Sequence, residues 1–208
     1  MNKKNKKIYI ATGNPSKLES IKKIFSWVDC DLEVSRVPDY VEVEETGESL
    51  ADNSLLKVMV YLGKYKLPVL ANDSGMFFDE RIREIKDPVK VKRNALSGRE
   101  ESECKQEEVA KLMYEYYRSI ARKYGGKINC ELRDVFTVLF ANGKTKQVST
   151  SRKYQIVDRE VKSVDLYHPL DCLKWSLSVQ KYVDDFTEED DMKDKEVIIK
   201  AFGDLIRD

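Results

Sequence analysis

Histidine is nearly absent from this 208-residue chain, which has His168 and no other. Any site built on two histidines is therefore excluded, including the His-Glu-x-x-His zinc helix. Cysteine is sparse as well. Cys30, Cys104, Cys130 and Cys172 lie far apart, with no Cys-x-x-Cys pair. A structural zinc cage is not expected, and the four read as reduced, mostly buried thiols. A cysteine nucleophile using His168 as base has no local support. No apolar run approaches the ~18 residues of a membrane span. The opening Met1–Lys7 is basic, but the apolar stretch after it, Ile8–Thr12, is far too short for the core of a signal peptide. The expectation is a cytoplasmic protein with no membrane partner. Charge of one sign is also lacking: 37 Lys+Arg stand against 37 Asp+Glu, for a formal net charge of zero. That balance argues against a bulk nucleic-acid binder.

What is present is charge of both signs, 36% of residues, over an ordinary 41% of hydrophobic ones. The length suits one α/β domain over 1–208, long enough to bury a core. Carboxylates dominate the possible metal ligands, so a metal here would be Mg²⁺, with Mn²⁺ as the substitute.

Periodicity predicts the elements. Lys7–Thr12 reads as a buried strand, broken by Gly13-Asn14-Pro15. A helix follows, with Leu18, Ile21, Ile24, Phe25 and Val28 on one face. Leu32–Val37 and Tyr40–Val43 read as short extended segments. A second helix opens at Glu48-Ser49-Leu50, and Leu67–Ala71 is a second buried strand ending in a turn at Asn72-Asp73-Ser74-Gly75. The segment 79–103 reads as loop with room for a short helix. Glu107–Lys123 is an amphipathic helix stopped by Gly125-Gly126. Val135–Ala141 and Lys146–Thr150 flank Asn142-Gly143 as a hairpin, because Asn-Gly supplies the positive φ angles of a tight turn. A further strand covers Lys153–Val157, and one or two helices surround the acidic run Asp184–Asp191.

Three places carry possible chemistry. In Thr12-Gly13-Asn14-Pro15-Ser16-Lys17, a glycine turn after a strand exposes backbone N–H groups at the positive end of a helix, and Lys17 can reach back over an anion. It is not a Walker loop, which needs Gly-x-x-x-x-Gly-Lys-Ser/Thr. Asn72-Asp73-Ser74-Gly75 follows a strand, where ligands of open parallel sheets gather. Its carboxylate can hold a metal or activate water. Glu42-Val43-Glu44-Glu45-Thr46-Gly47 clusters acids beside a turn, and Asn53 and Lys57 on the next helix stand one turn apart, able to face one site. Each place alone also fits a bland account: a capped turn, an Asx turn, a solvated acidic loop.

In this order the three resemble the inosine triphosphate pyrophosphatase family, which hydrolyses non-standard purine nucleoside triphosphates. Thr12–Lys17 resembles its Thr-Gly-Asn-x-x-Lys motif. Glu44–Lys57 is similar to its Glu-Glu-Thr-Gly-x-Ser/Thr-Phe-x-Glu-Asn-Ala-x-x-Lys segment, and Leu67–Gly75 to its Leu-Pro-Val-x-Ala-Asp-Asp-Ser-Gly strand and turn. The likeness covers roughly the first 80 residues. It implies a long mixed β-sheet flanked by helices, with two lobes and a central cleft, and a homodimer. It implies Mg²⁺-dependent cleavage of a triphosphate such as ITP, dITP or XTP to the monophosphate and pyrophosphate. Asp73 would be the catalytic carboxylate and a metal ligand, and Glu44 a second ligand. Lys17 would act in catalysis, and Thr12, Gly13, Asn14, Lys17, Asn53, Lys57 and Ser74 would bind substrate.

The second half departs from the family. Val164–Pro169 stands where Gly-Phe-Gly-Tyr-Asp-Pro is expected and keeps only Tyr167 and Pro169; Tyr167 and His168 are the candidates for the base side. The late Ser-His-Arg is missing, and Lys195 matches the lysine ahead of it. The phosphate half of the site is thus kept and the base-reading half rewritten. Two alternatives stay open: a related nucleotide pyrophosphatase with altered base specificity, and a non-catalytic nucleotide-binding homologue.

Overall fold

A computed structural model describes residues 6–28, 32–85, 94–99 and 103–206. The expectations for Met1–Asn5, Cys30 and parts of the 79–103 loop lie outside them. Seven strands form one mixed sheet in the order β2-β1-β3-β4-β5-β6-β7. They are β1 (Lys6–Ile10), β2 (Leu32–Arg36), β3 (Val69–Phe78), β4 (Lys127–Leu139), β5 (Thr145–Val157), β6 (Lys174–Ser176) and β7 (Lys181–Tyr182). β1 runs parallel to both β2 and β3, whereas β6 is antiparallel to β5 and β7. The helices are α1 (Pro15–Trp27), α2 (Leu50–Met59), α3 (Gln106–Lys123), α4 (Glu188–Asp194) and α5 (Glu196–Leu205). No helix among the described residues is long and apolar enough to cross a membrane.

The chain divides into two compact units. The first comprises 1–75, 133–151 and 195–208, and the second 76–132 and 152–194. In the first unit, period-two alternation along β3 gives each face of the sheet its own core. Leu70 joins Ile8, Ile10, Ile21, Ile24, Phe25 and Phe202 on the α1 side. Val69 and Ala71 join Val58 and Tyr61 on the α2 side. Ser54 of α2, fully buried, fits because its hydroxyl donates to the Ala71 carbonyl (3.3 Å) and meets Thr137 Oγ1 at 2.8 Å. In the second unit, Tyr114, Tyr117 and Ile120 of α3 pack with Ile128 and Cys130 of β4 and with Tyr154 and Ile156 of β5.

Several expected boundaries move. The turn expected at Asn72–Gly75 is strand: β3 continues to Phe78, past its pairing with β1 at Val69 and Leu70, with the 13-residue β4 as its neighbour on the other side. Tyr40–Val43 forms no strand. The Val41 N–H bonds the Tyr61 hydroxyl (2.9 Å) instead of a sheet neighbour. The hairpin forms as expected, with Gly143 at φ +82°, but its strands run 13 residues each and absorb Lys153–Val157. The start of β4 does alternate, Ile128, Cys130 and Leu132 against Lys127, Asn129 and Glu131, a period-two pattern that the expected hairpin, begun at Val135, left out. The acidic run becomes a 3₁₀ turn, Val183–Asp185, and the start of α4.

Candidate active site

The site begins at the end of β1. Asn14 caps α1, its Oδ1 accepting from the N–H groups of Ser16 (2.8 Å) and Lys17 (3.2 Å). Pro15 at the first helical position has no N–H to lose there. Thr12 is buried, and its Oγ1 accepts from the Asn14 N–H (3.1 Å). These bonds hold the Gly13 turn shut against the helix. A Cβ on Gly13 would stand 2.8 Å from the Tyr40 ring, so the turn is also fitted to its neighbour.

α2 supplies the other wall. Ser49 caps it, accepting from the Asp52 N–H (3.1 Å) and donating to Asp52 Oδ2 (2.7 Å). Asn53, one residue on, works in two directions. Its Oδ1 accepts from the Gly47 N–H (2.8 Å), and its Nδ2 makes a longer donation to Asp73 Oδ2 (3.4 Å). Gly47 is required by this approach, since a Cβ there would lie 2.6 Å from Asn53 Oδ1 and 2.9 Å from the Asn53 backbone nitrogen. Lys57, one turn further, bonds Asp73 Oδ1 at 2.8 Å and Glu45 Oε1 at 2.6 Å. Alternation explains why Asp73 receives them. It follows Val69 and Ala71 on the α2 face of β3, and it is 5% exposed. Asn72 and Ser74 alternate to the other face, where Asn72 Nδ2 donates to Ser74 Oγ (2.9 Å).

Two ammonium groups therefore share one electrostatic field. Burial lowers the pKa of Lys17, and the charge of Lys57 lowers it further, against the pull of Asp73, Glu45 and Asp134. Burial also works against Lys57, but its bonds to Asp73 and Glu45 outweigh it and leave that pKa raised. Lys17 is thus the ammonium poised to gain from an incoming anion, while Lys57 is already matched by carboxylates.

The model of the Ham1 family matches residues 8–119, more than half of the sequence. The chain belongs to the Ham1 family. Among relatives of this Ham1 protein, the dITP/XTP pyrophosphatase of Aquifex aeolicus (strain VF5) is 40% identical over 73 residues, 35% of each chain. That of Frankia alni (strain DSM 45986 / CECT 9034 / ACN14a) is 34% identical over 74 residues, 36% of this chain and 37% of its own. The matches thus span about a third of the relatives' length. Over the whole chain the likeness is one of fold. The Ham1 protein of Staphylococcus aureus superposes with a TM-score of 0.64 at 20% identity, covering 97% of this chain and 98% of its own. The HAM1 protein of Coxiella burnetii gives 0.65 at 18%, with the same coverage.

The structure brings Lys17, Asn53, Lys57 and Asp73 of this Ham1 protein into one field in the first unit, with Thr12, Gly13 and Asn14 at the head of α1. Glu44 is exposed and offers its backbone carbonyl to the Thr46 N–H (3.0 Å). Its neighbour Glu45 is the acid that reaches Lys57. Lys195 sits with its ammonium 5.9 Å from the centre of the Trp27 ring. Trp27 ends α1, so it lies about 15 Å along the helix from Lys17. Tyr167 and His168 belong to the second unit. Their N–H groups both donate to Asp165 Oδ1 (2.8 and 2.7 Å), and both line a pocket of about 280 Å³. Sequence reasoning missed two residues. Glu45 was read only as part of the acidic motif. Asp134, on β4 and 6% exposed, lies just ahead of the expected hairpin strand; an acid that shares the parity of Ile128, Cys130 and Leu132 and directly precedes Val135-Phe136 was its one signal.

Proposed function

We propose that the protein hydrolyses nucleoside triphosphates, those of non-standard purines such as ITP, dITP and XTP, to the monophosphate and pyrophosphate. The observation that carries this reading is the Asp73 carboxylate held between Lys57 and Asn53 in the field of a second, desolvated lysine. A buried carboxylate fixed by two partners is a positioned base. A lysine whose charge is disfavoured before binding gains most when a polyphosphate arrives. The relatives named dITP/XTP pyrophosphatase support the substrate class.

Each residue then has a part. The N–H groups at the Gly13 turn and the start of α1 receive phosphate oxygens, with Thr12, Asn14 and Ser74 beside them. Lys17 neutralises charge on the phosphate chain. Asp73 takes the proton of the attacking water, and Lys57 holds the carboxylate in place while that happens.

Mg²⁺ fits the donors present. Among the described residues no three His, Cys, Asp or Glu side chains gather into a group able to hold a metal. Mg²⁺, however, commonly uses one or two carboxylates together with substrate phosphates rather than an all-protein cage. Asp73 would hold it, with Glu44 or Glu45 from the acidic loop, and the ion would supply neutralisation of the developing phosphate charge. We also expect a cytoplasmic homodimer.

The experiment is pyrophosphate release across a panel of inosine, xanthosine and common nucleoside triphosphates, with and without Mg²⁺. Asp73→Asn keeps the shape of the side chain and removes its basicity. The expected loss is about 10²–10⁴-fold. Near-normal turnover in that variant, or triphosphate binding with no pyrophosphate from any nucleotide, overturns the reading.

A further inference from the structure

β2 ends in an arginine, Arg36, that has no part in the chemistry above. The parallel register sets Arg36 opposite Ile10, and residues paired in this way point to the same face of the sheet. Ile10 belongs to the core beneath α1, as do Ile8 and its partner Val34. Arg36 therefore continues the α1-side row beyond its last apolar members, at the carboxyl edge of the sheet where α1 begins. The Val37 N–H bonds the Ile10 carbonyl (3.1 Å) and fixes that end of β2 beside β1.

The guanidinium is held but not paired. Its carbon lies 4.9 Å from the centre of the Tyr40 ring, a contact suited to a planar cation, and one that leaves the in-plane donors open. Tyr40 in turn lies against the Gly13 turn, where its ring would meet a Cβ on Gly13 at 2.8 Å. Two acids nearby in the chain are committed elsewhere. Glu33, on the other face of β2, pairs with Lys7 (2.7 Å), and Asp39 pairs with Lys64 (3.4 Å). Arg36 is exposed, and among the described residues none gives it a hydrogen bond or an ion pair. A fork of five N–H donors thus stands uncommitted beside the turn that receives phosphate oxygens.

Strand order says which part of the ligand such a fork would meet. β1 lies between β2 and β3, so Arg36 and Asp73 come to the Gly13 turn from opposite sides. Release of pyrophosphate requires water to attack the phosphorus next to the nucleoside. The new P–O bond forms there and the bridging P–O bond breaks, with the electron pair passing to the departing pyrophosphate. With that phosphorus at Asp73, the two outer phosphates run over the turn toward β2. We propose that Arg36 grips the outermost phosphate, the end that departs in pyrophosphate, and that Tyr40 is its positioning residue. A planar fork matches the several oxygens of a terminal phosphate, and its charge offsets the charge that gathers on the leaving group. The direction of the phosphate chain rests on the hydrolase reading above, whereas the open guanidinium beside the Gly13 turn does not.

The test is calorimetric titration of inorganic pyrophosphate, which carries no base, into the full-length protein. Arg36→Ala is expected to weaken binding at least about tenfold, as befits the loss of a charge-assisted contact. Arg36→Lys keeps the charge without the fork and should fall between the two. Tyr40→Phe keeps the ring and should match the unmodified protein, whereas Tyr40→Leu should lose part of the affinity. The value of kcat/KM for inosine triphosphate should fall in step in Arg36→Ala. Unchanged pyrophosphate affinity in Arg36→Ala overturns the proposal, as does an unmodified protein that binds no pyrophosphate. If the alanine variant folds poorly, Arg36→Lys decides, since an affinity equal to that of the unmodified protein removes the fork from the account. Asp73→Asn should bind pyrophosphate with the same dependence on Arg36 while releasing none from a nucleotide, so failure of this contact and failure of the hydrolase reading are told apart.

Discussion

Lys57 Nζ lies 2.8 Å from Asp73 Oδ1, an ion pair between α2 and the middle of β3 whose side chains are 17% and 7% exposed. It makes Lys57, rather than Lys17, the lysine that holds the carboxylate. The division of labour follows from charge. Lys57 already pairs with Asp73 and Glu45, so it positions; Lys17 is desolvated beside another cation, so it waits for an anion.

Breaking that pair from one side should cost more than breaking it from both. Lys57→Met leaves a nearly buried carboxylate with only the long Asn53 contact and should lower stability by about 2–3 kcal/mol, less than for a wholly buried pair because Lys57 is in part solvated. Combined with Asp73→Asn, the loss should be about 1–2 kcal/mol smaller than the sum of the single losses. Urea unfolding of the four proteins measures this coupling. A sum that is simply additive would show that the contact contributes nothing.

The legible part of this site was local. Asn14 capping, the Pro15 start and the Ser49 cap are bonds between residues two or three apart, and sequence spacing states them directly. The strand at Leu67–Ala71 and the hairpin at Asn142-Gly143 were legible for the same reason. The continuation of β3 through Asn72–Gly75 was not, because Asn, Asp, Ser and Gly favour turns unless a neighbouring strand, here β4, lies alongside. Nor was the choice of Lys57 over Lys17 as partner of Asp73. Both follow from which face a strand residue takes in a sheet whose register is set by distant residues.

The two lysines should separate in pH. Lys17 has a folded pKa below its ordinary 10.5, so its free form arises at lower pH than in the unfolded chain. Between those two values the unfolded state holds more protons, and the Lys17 contribution to stability rises with pH. Lys57 is raised; its contribution is complete below 10.5 and is lost as pH climbs through the folded pKa. The alkaline limb of kcat/KM, which reports the free enzyme, should therefore fall below the ordinary lysine range and belong to Lys17. Lys17→Arg, whose guanidinium stays charged, should move that limb upward even if the rate drops. A limb that does not move assigns the titration elsewhere.

Gly47→Ala should be costly although the glycine lies in a loop. The new methyl would meet Asn53 Oδ1 and the Asp52 Cβ, both at 2.6 Å. Relief requires the acidic loop to retreat from α2, which breaks the Gly47 to Asn53 bond and draws Glu45 from Lys57. A stability loss of about 1–3 kcal/mol is expected, with a larger fractional loss of pyrophosphate release. Asn53→Ala removes the same bond without the clash, so it should cost less stability for a similar loss of activity. Equal unfolding midpoints for Gly47→Ala and the unmodified protein would contradict this geometry.

Asp194 should prove the most sensitive polar residue of the second unit. It is 5% exposed at the end of α4 and collects donors from β5 and from β6 and the turn after it. Ser176 Oγ lies at 2.6 Å from Oδ1 and Ser178 Oγ at 3.2 Å, while Oδ2 accepts from Tyr154 Oη and from Arg152 at 3.2 Å. Two oxygens thus satisfy four donors, three of them uncharged hydroxyls. Asp194→Ala removes every acceptor at once and strands buried hydroxyls, which should cost about 3–5 kcal/mol. Asp194→Asn keeps one acceptor and turns the other into a donor facing donors, so it should recover less than half of that loss. Tyr154→Phe deletes one donor, leaves the carboxylate with the others, and should cost only about 1 kcal/mol. Thermal or urea unfolding of the three variants ranks them. An Asp194→Ala protein as stable as Tyr154→Phe would mean that the carboxylate is not what joins α4 to the sheet.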